Sequence, residues 1–212
     1  MTGDVCRVTG TAFGRPNSYK MILEVVKFGH PVLRQKGARI EAFDADVRHL
    51  IADMLETMYA AKGVGLAAQQ VGQALQLTVV DVGGVTDRPS TIEVEGKPAE
   101  IADHMPLVLV NPELTPMGEP VSGPEGCLSF PEIFADVSRP EFVEVKALNQ
   151  KGKPIAFRAG GLLSRAVQHE VDHLNGILFI DRMDKQTKAE VRADIEELQA
   201  DTKAKLAAAR KK

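Results

Sequence analysis

Gly161-Leu162-Leu163-Ser164-Arg165-Ala166-Val167-Gln168-His169-Glu170-Val171-Asp172-His173 is the stretch on which both the fold and the chemistry turn. Leu162, Ala166, His169 and His173 recur at helical spacing and share one stripe. Asn175-Gly176 then supplies a stop signal, followed by the apolar run Ile177-Leu178-Phe179-Ile180. The histidines therefore occupy the last turns of a short, rigid helix. Two imidazoles four positions apart lie one above the other, so they can converge on a single ion. Glu170, between them, is placed to take a proton from water that such an ion makes acidic. The same five-residue pattern also occurs on solvated helices with two surface histidines, so its meaning depends on a third ligand.

A catalytic site of this kind needs three protein ligands and one open position. In the pattern H-E-x-x-H-x-x-G-x-x-H the third histidine would fall at position 179, where the chain has Phe179. A glutamate from a later helix is the second source, with Glu190, Glu196 and Glu197 available, but these belong to a charged, Ala-rich segment where carboxylates are ordinarily solvated. Cys127, in Glu125-Gly126-Cys127-Leu128-Ser129, is the preferred ligand. The chain has only two cysteines, and the other, Cys6, lies near the start, so no disulfide framework is indicated. Without the histidine pair, Cys127 would read as a small buried hydrophobe.

Outward from the helix, the pattern describes an α+β fold. Residues 44–61 place Val47, Leu50, Ile51, Met54, Leu55 and Met58 at helical spacing, an amphipathic helix whose methionines are core. Residues 75–82, 107–110 and 142–148 read as strands, and Asn149-Gln150-Lys151-Gly152 as a turn leading into 154–157. The segment 83–105 is rich in Gly, Pro and charge and reads as a surface excursion. His30, His49 and His104 lack ligand spacing. The expected architecture is mixed or antiparallel sheet packed around the central helix that carries the two histidines, plus a C-terminal helix.

At 212 residues and 44% hydrophobic, the chain can bury a substantial core, and no linker divides it. A net charge of −3 gives no reason to expect DNA binding, and no apolar run approaches the ~20 residues of a membrane span. Residues 1–20 hold Arg7, Arg15 and Lys20 against Asp4 without an apolar core, so they are not a secretory signal. They read as a flexible extension, with an organellar targeting segment as the lesser alternative. The expected division is 1–20, a catalytic domain over 21–184, and a C-terminal helix with basic tail over 185–212, in a cytoplasmic protein.

Three motifs in order, Gly63-Val64-Gly65-Leu66-Ala67-Ala68-Gln69-Gln70, Glu125-Gly126-Cys127-Leu128-Ser129 and Gln168-His169-Glu170-Val171-Asp172-His173, resemble those of the peptide deformylases. The resemblance runs from about Met21 to the C-terminal helix. It implies Cys127, His169 and His173 as ligands of one divalent ion, Glu170 as general base and acid, and Gln70 with the Leu128 amide as oxyanion donors. A thiolate in the ligand set suits Fe2+ as the native ion, with Zn2+, Ni2+ or Co2+ as substitutes. The implied reaction removes the formyl group from the N-terminal formyl-methionine of new polypeptides, with metal-activated water attacking the formyl carbon and formate released.

Gly63, Val64 and Gly65 then offer a backbone edge for an extended peptide, although Lys62-Gly63 reads equally as the cap of the preceding helix. Gly126 lets the chain approach the ion closely, or marks a bulge. Leu162, Arg165 and Ala166 lie where a methionine pocket is needed, and Asp172 is expected to pair with a cation, Arg139 being the candidate. The basic end, Lys203, Lys205, Arg210, Lys211 and Lys212, suits contact with ribosomal RNA. Two alternatives remain at this point: an endopeptidase of the H-E-x-x-H type, and a metal-binding protein without turnover.

Overall fold

The computed structural model describes residues 21–209. The extension 1–20 with Cys6, and the terminal Arg210-Lys211-Lys212, lie outside the described residues. The chain forms α1 (Ala45–Ala60), β1 (Gly65–Ala67), β2 (Leu77–Val80), β3 (Ser90–Val94), β4 (Lys97–Ala99), β5 (Leu107–Cys127), β6 (Phe130–Leu148), β7 (Pro154–Gly160), α2 (Gly161–Leu174), α3 (Lys185–Glu190) and α4 (Arg192–Ala209). The strands make a sheet of order β1-β2-β5-β6-β7-β3-β4 with every neighbouring pair antiparallel. The α+β expectation holds, with the sheet antiparallel throughout.

Alternation along the strands explains why two helices are needed. Val80, Leu107 and Leu109 point to the face covered by Leu163, Val167 and Leu174 of α2, while Leu77, Val79, Val108 and Val110 point to the face covered by Ile51, Met54 and Met58 of α1. Each sheet face thus buries one helix, and α2 is enclosed on nearly all sides. Asp44 starts α1 by accepting a hydrogen bond from the Val47 amide at 2.9 Å, and Met54 and Met58 are fully buried, as core methionines should be.

The end of α2 is fixed as the sequence indicated. Gly176 adopts φ 72°, and the amides of Gly176 and Ile177 bond the His173 and Asp172 carbonyls at 3.0 and 2.9 Å. A side chain at 176 would also meet the Arg34 carbonyl carbon and oxygen at 2.9 and 2.6 Å, so the position requires glycine.

A third apolar cluster joins the N-terminal segment, β6 and α4. Phe28 stacks on Phe130 at 4.8 Å between ring centroids, Phe130 meets Phe179 edge-on at 5.1 Å, and Ile195 of α4 closes the cluster. Phe179, at the position of the absent third histidine, is 1% exposed and packs its ring 5.9 Å from that of His169. Phe179→Ala therefore lowers the unfolding free energy by about 3–5 kcal/mol, read from urea denaturation.

Three regions differ from the sequence reading. Residues 83–105 do not form a plain excursion: β3 and β4 make a hairpin through Glu95 and Gly96, both at positive φ, and β3 joins the sheet against β7. β5 and β6 extend far beyond 107–110 and 142–148, with register shifts at Val110/Glu113, where Pro112 lies, at Met117/Pro120 and at Gly126/Cys127. The C-terminal segment is helical but broken at Val191 between α3 and α4.

Candidate active site

The last residue of β5 and one face of α2 meet at the site. Cys127 ends β5, and Leu128-Ser129 turn the chain directly into β6. His169, Glu170 and His173 come from the last turns of α2. One ligand atom from each of Cys127, His169 and His173 lies within 4.8 Å of the others, with Cys127 Sγ 3.3 Å from His173 Nε2. The two imidazole rings stand nearly perpendicular, 5.1 Å apart. One sulfur and two nitrogens converging in a largely buried spot is a donor set for a borderline-soft divalent cation.

Glu125 orients this set, a role the sequence did not reveal although the residue lies in a quoted motif. Its Oε2 is 2.9 Å from His169 Nδ1, which leaves Nε2 of that ring as the available donor. Arg139 donates to both Glu125 oxygens, at 2.5 and 2.9 Å, and at 2.8 Å to Asp172, which is also held by Arg182 at 2.6 Å. The expected Asp172–Arg139 pair is thus part of a longer buried chain of charges. Burial alone would raise the Glu125 pKa, but hydrogen bonds from His169 and Arg139 outweigh it and bring it to about 2.

Burial likewise opposes charge on His169, yet its hydrogen bonds with Cys127 and Glu125 raise its pKa to about 10. His173, buried and facing His169 and Arg139, is pushed well below the usual value. A cation taking the His169 ring nitrogen would displace the proton that these hydrogen bonds favour there. Glu170 is also buried, and desolvation lifts its pKa to about 7 despite the nearby positive charges of His169 and Arg139. A carboxyl poised near neutrality can both accept and return a proton. Among the described residues, Glu170 Oε2 and His173 Nδ1 have no hydrogen-bond partner.

A cleft of about 490 Å³ opens over these groups, within the range of small-ligand sites. Cys127, His169 and Glu170 line it together with Gly63, Val64, Gly65, Gln70, Gly126, Leu128, Leu162, Arg165 and Ala166, while His173 lies beneath, 1% exposed. Gln70 is held by its Oε1, which accepts from the Ala67 amide at 2.8 Å, and its Nε2 reaches Cys127 Sγ at 3.4 Å and Ser129 Oγ at 3.3 Å. Arg165 is not a solvated helix residue: Nη1 donates to Glu125 at 2.8 Å and to the Val137 carbonyl at 2.7 Å, and Nη2 to the Val121 carbonyl at 2.8 Å. Gly126 sits at the register shift before Cys127, under the ring of exposed Phe134.

The first motif closes α1 and opens an edge strand. The Gly63 amide bonds the Met58 carbonyl at 2.9 Å, closing α1, and β1, which begins at Gly65, is the edge strand of the sheet. Gly65 has a further task, because a Cβ there would lie 2.8 Å from Glu170 Cδ and Cγ. The backbone of β1 is the floor on which the Glu170 carboxylate rests. Gly65→Ala shifts that carboxylate and lowers kcat by about 10²-fold while bound metal, measured by mass spectrometry, stays stoichiometric.

Other ligand sources are excluded by position. Glu190, Glu196 and Glu197 are exposed on α3 and α4, Glu196 pairing with Arg192.

Comparison with known proteins covers the same ground. The sequence profile of the polypeptide deformylase family matches residues 22–189. A peptide deformylase of Methylacidiphilum infernorum is 48% identical over 178 residues, 84% of this chain and 93% of that protein. One of Opitutus terrae is 46% identical over 186 residues, 87% of this chain and 96% of the relative. Among solved structures, a peptide deformylase of Legionella pneumophila superposes with a TM-score of 0.71 at 35% identity, covering 84% of this chain and 96% of the other. One of Synechococcus elongatus in complex with actinonin gives 0.68 at 39% identity, covering 86% and 88%. The shared region includes the sheet, both enclosing helices and the residues that line the cleft, and by that extent of likeness the chain belongs to the polypeptide deformylase family of metal-dependent amide hydrolases.

Proposed function

We propose that the site hydrolyses the N-formyl amide of formyl-methionyl nascent peptides, with Cys127, His169 and His173 holding one divalent cation. The observation that carries this reading is the convergence of those three donors beside a buried carboxylate at the floor of an open cleft. The thiolate favours ferrous iron, with zinc, nickel or cobalt accepted by the same donors. When bound, the cation supplies Lewis acidity, bringing the ionisation of water toward neutral pH and polarising the carbonyl.

The chain's own groups then act in order. Glu170 takes the proton of the attacking water and returns it to the departing nitrogen, so that formate and a free amine leave. Gln70, fixed through its Oε1, presents Nε2 toward the reacting centre, and the Leu128 amide adds a second donor for the developing oxyanion. The peptide lies along the open edge of β1, with Leu162 and Ala166 at the wall that receives the methionine side chain. Glu125 keeps the His169 ring in its coordinating orientation.

The reading is tested by incubating anaerobically purified protein with formyl-Met-Ala-Ser and with an unformylated peptide of the same sequence. Formate from the first and no internal cleavage of either supports it; internal cleavage supports the endopeptidase alternative, and no product supports a retired binder.

Among the described residues, no helix is long and apolar enough to cross a membrane. Work on nascent chains places the enzyme in the cytoplasm, with residues 21–184 as its catalytic domain and α4 facing the ribosome through the exposed Lys203 and Lys205. Removing α4 is a poor test of that contact, because Ile195 and Leu198 belong to the apolar cluster. Charge reversal at Lys203 and Lys205 preserves the packing, and it weakens salt-sensitive ribosome co-sedimentation if the proposal holds.

A further inference from the structure

The charges around the cleft are unevenly divided. Deep inside, Glu125 is matched by Arg139 and Arg165, and Glu170 is the reacting carboxylate. At the mouth, Lys27, Lys62 and Arg88 line the cleft against a single acid, Glu132. Among the described residues, none of the three cations is ion-paired with a carboxylate. Glu24, which does not line the cleft, is the carboxylate whose charge Lys27 feels. The chain as a whole carries −3, so a positive mouth is a local property and not a reflection of bulk charge.

The three cations come from separate segments, and two of them are anchored by hydrogen bonds. Lys27 Nζ donates to the Leu128 carbonyl at 2.8 Å. Lys62 follows α1 at φ 55° and is exposed, and the next residue, Gly63, has its Cα edge against Leu128 Cδ1. Arg88, from the segment before β3, reaches the Pro124 carbonyl with Nη2 at 3.3 Å. Two cations thus stand at the Leu128 end of the cleft and one at the Pro124 end. Those ends are four residues apart along the end of β5 and the turn that follows it.

We propose that this mouth selects peptides bearing acidic side chains in the positions immediately after the formylated methionine. The inference rests on the deformylase reading of the site and adds a substrate preference to it. Exposed ion pairs each contribute little, so the expected preference is about 3- to 10-fold in kcat/KM, and it fades with added salt because the groups are open to solvent. The segment 83–105 thereby gains a purpose, since it delivers Arg88 to the cleft.

The test uses the full-length, metal-loaded enzyme and three peptides, formyl-Met-Glu-Glu, formyl-Met-Gln-Gln and formyl-Met-Lys-Lys, with formate release measured at about 0.05 M and about 0.5 M salt. The expected order is Glu over Gln over Lys at low salt, converging at high salt, and a Lys62→Glu/Arg88→Glu variant reverses it. Equal rates, or a preference for lysine, with the glutamine peptide turned over normally, overturn the preference and leave the deformylase reading intact. Absence of formate from all three peptides overturns that reading and the preference with it. The salt dependence of the native enzyme decides the matter even if the double variant fails to fold.

Discussion

Glu170→Ala lowers kcat for a formyl-methionyl peptide by about 10²–10⁴-fold while the protein keeps its metal and its fold. The size follows from the double use of one group. In the proposed mechanism the carboxylate accepts a proton from water and returns it to the amine, and alanine offers neither step. Its neighbours do not substitute, since Glu125 is engaged by His169, Arg139 and Arg165. Glu170→Gln, which keeps the shape beside Gly65 but not the basicity, falls by a similar factor, whereas an effect of packing alone would be rescued by it. Undiminished turnover in either variant removes Glu170 from the chemistry.

The second large effect is on the metal. Cys127→Ala abolishes deformylation, and its metal affinity falls by more than the roughly 10- to 100-fold that loss of a ligand's supporting partner costs. Among the described residues, the donors that cluster with the two histidines include no substitute for the sulfur: Gln70 is bonded to Ser129, and the carboxylates of α3 and α4 are exposed. The measurement is iron, zinc and nickel content after anaerobic dialysis, beside formate release. An endopeptidase that takes its third ligand elsewhere survives this substitution, so retained metal and retained activity contradict the assignment. Removing the metal from the native protein with a chelator and restoring it reproduces the loss and reverses it.

The parts legible in the sequence were those governed by local pattern. The stripe of Leu162, Ala166, His169 and His173, the Gly176 stop, and the amphipathic run of α1 all depend on spacing within a few turns, and each stands in the structure as expected. Phe179 was legible by elimination, and its burial against Phe130 gives the physical reason no ligand sits there.

What could not be read depends on partners distant in the chain. Pro112, Pro116, Pro120 and Pro124 argue locally against a strand, yet β5 runs through them because β6 pairs along almost its whole length, with Pro116, Pro120 and Pro124 in register and Pro112 in a register shift. Likewise β3 and β4 lack strong periodicity, and gain their place because β3 pairs with β7 and β4 with β3. In the site, Glu125 looked like one acid in a motif, because its importance lies in three partners 14 to 44 residues away. Lys27 and Arg88 carried no signal at all, since only the folded cleft brings them to the mouth. Gly65 was readable as a peptide-binding edge, but not as the support for Glu170 that contact across the fold reveals.

In the proposed site one sulfur and two imidazole nitrogens hold the same catalytic cation. X-ray absorption spectroscopy at the iron or zinc edge, on anaerobically prepared active protein, tests it most directly. One sulfur scatterer and two histidine nitrogens are expected at the ion, with the sulfur signal and formate production both lost in Cys127→Ala. An active enzyme whose ion has no sulfur neighbour would contradict it.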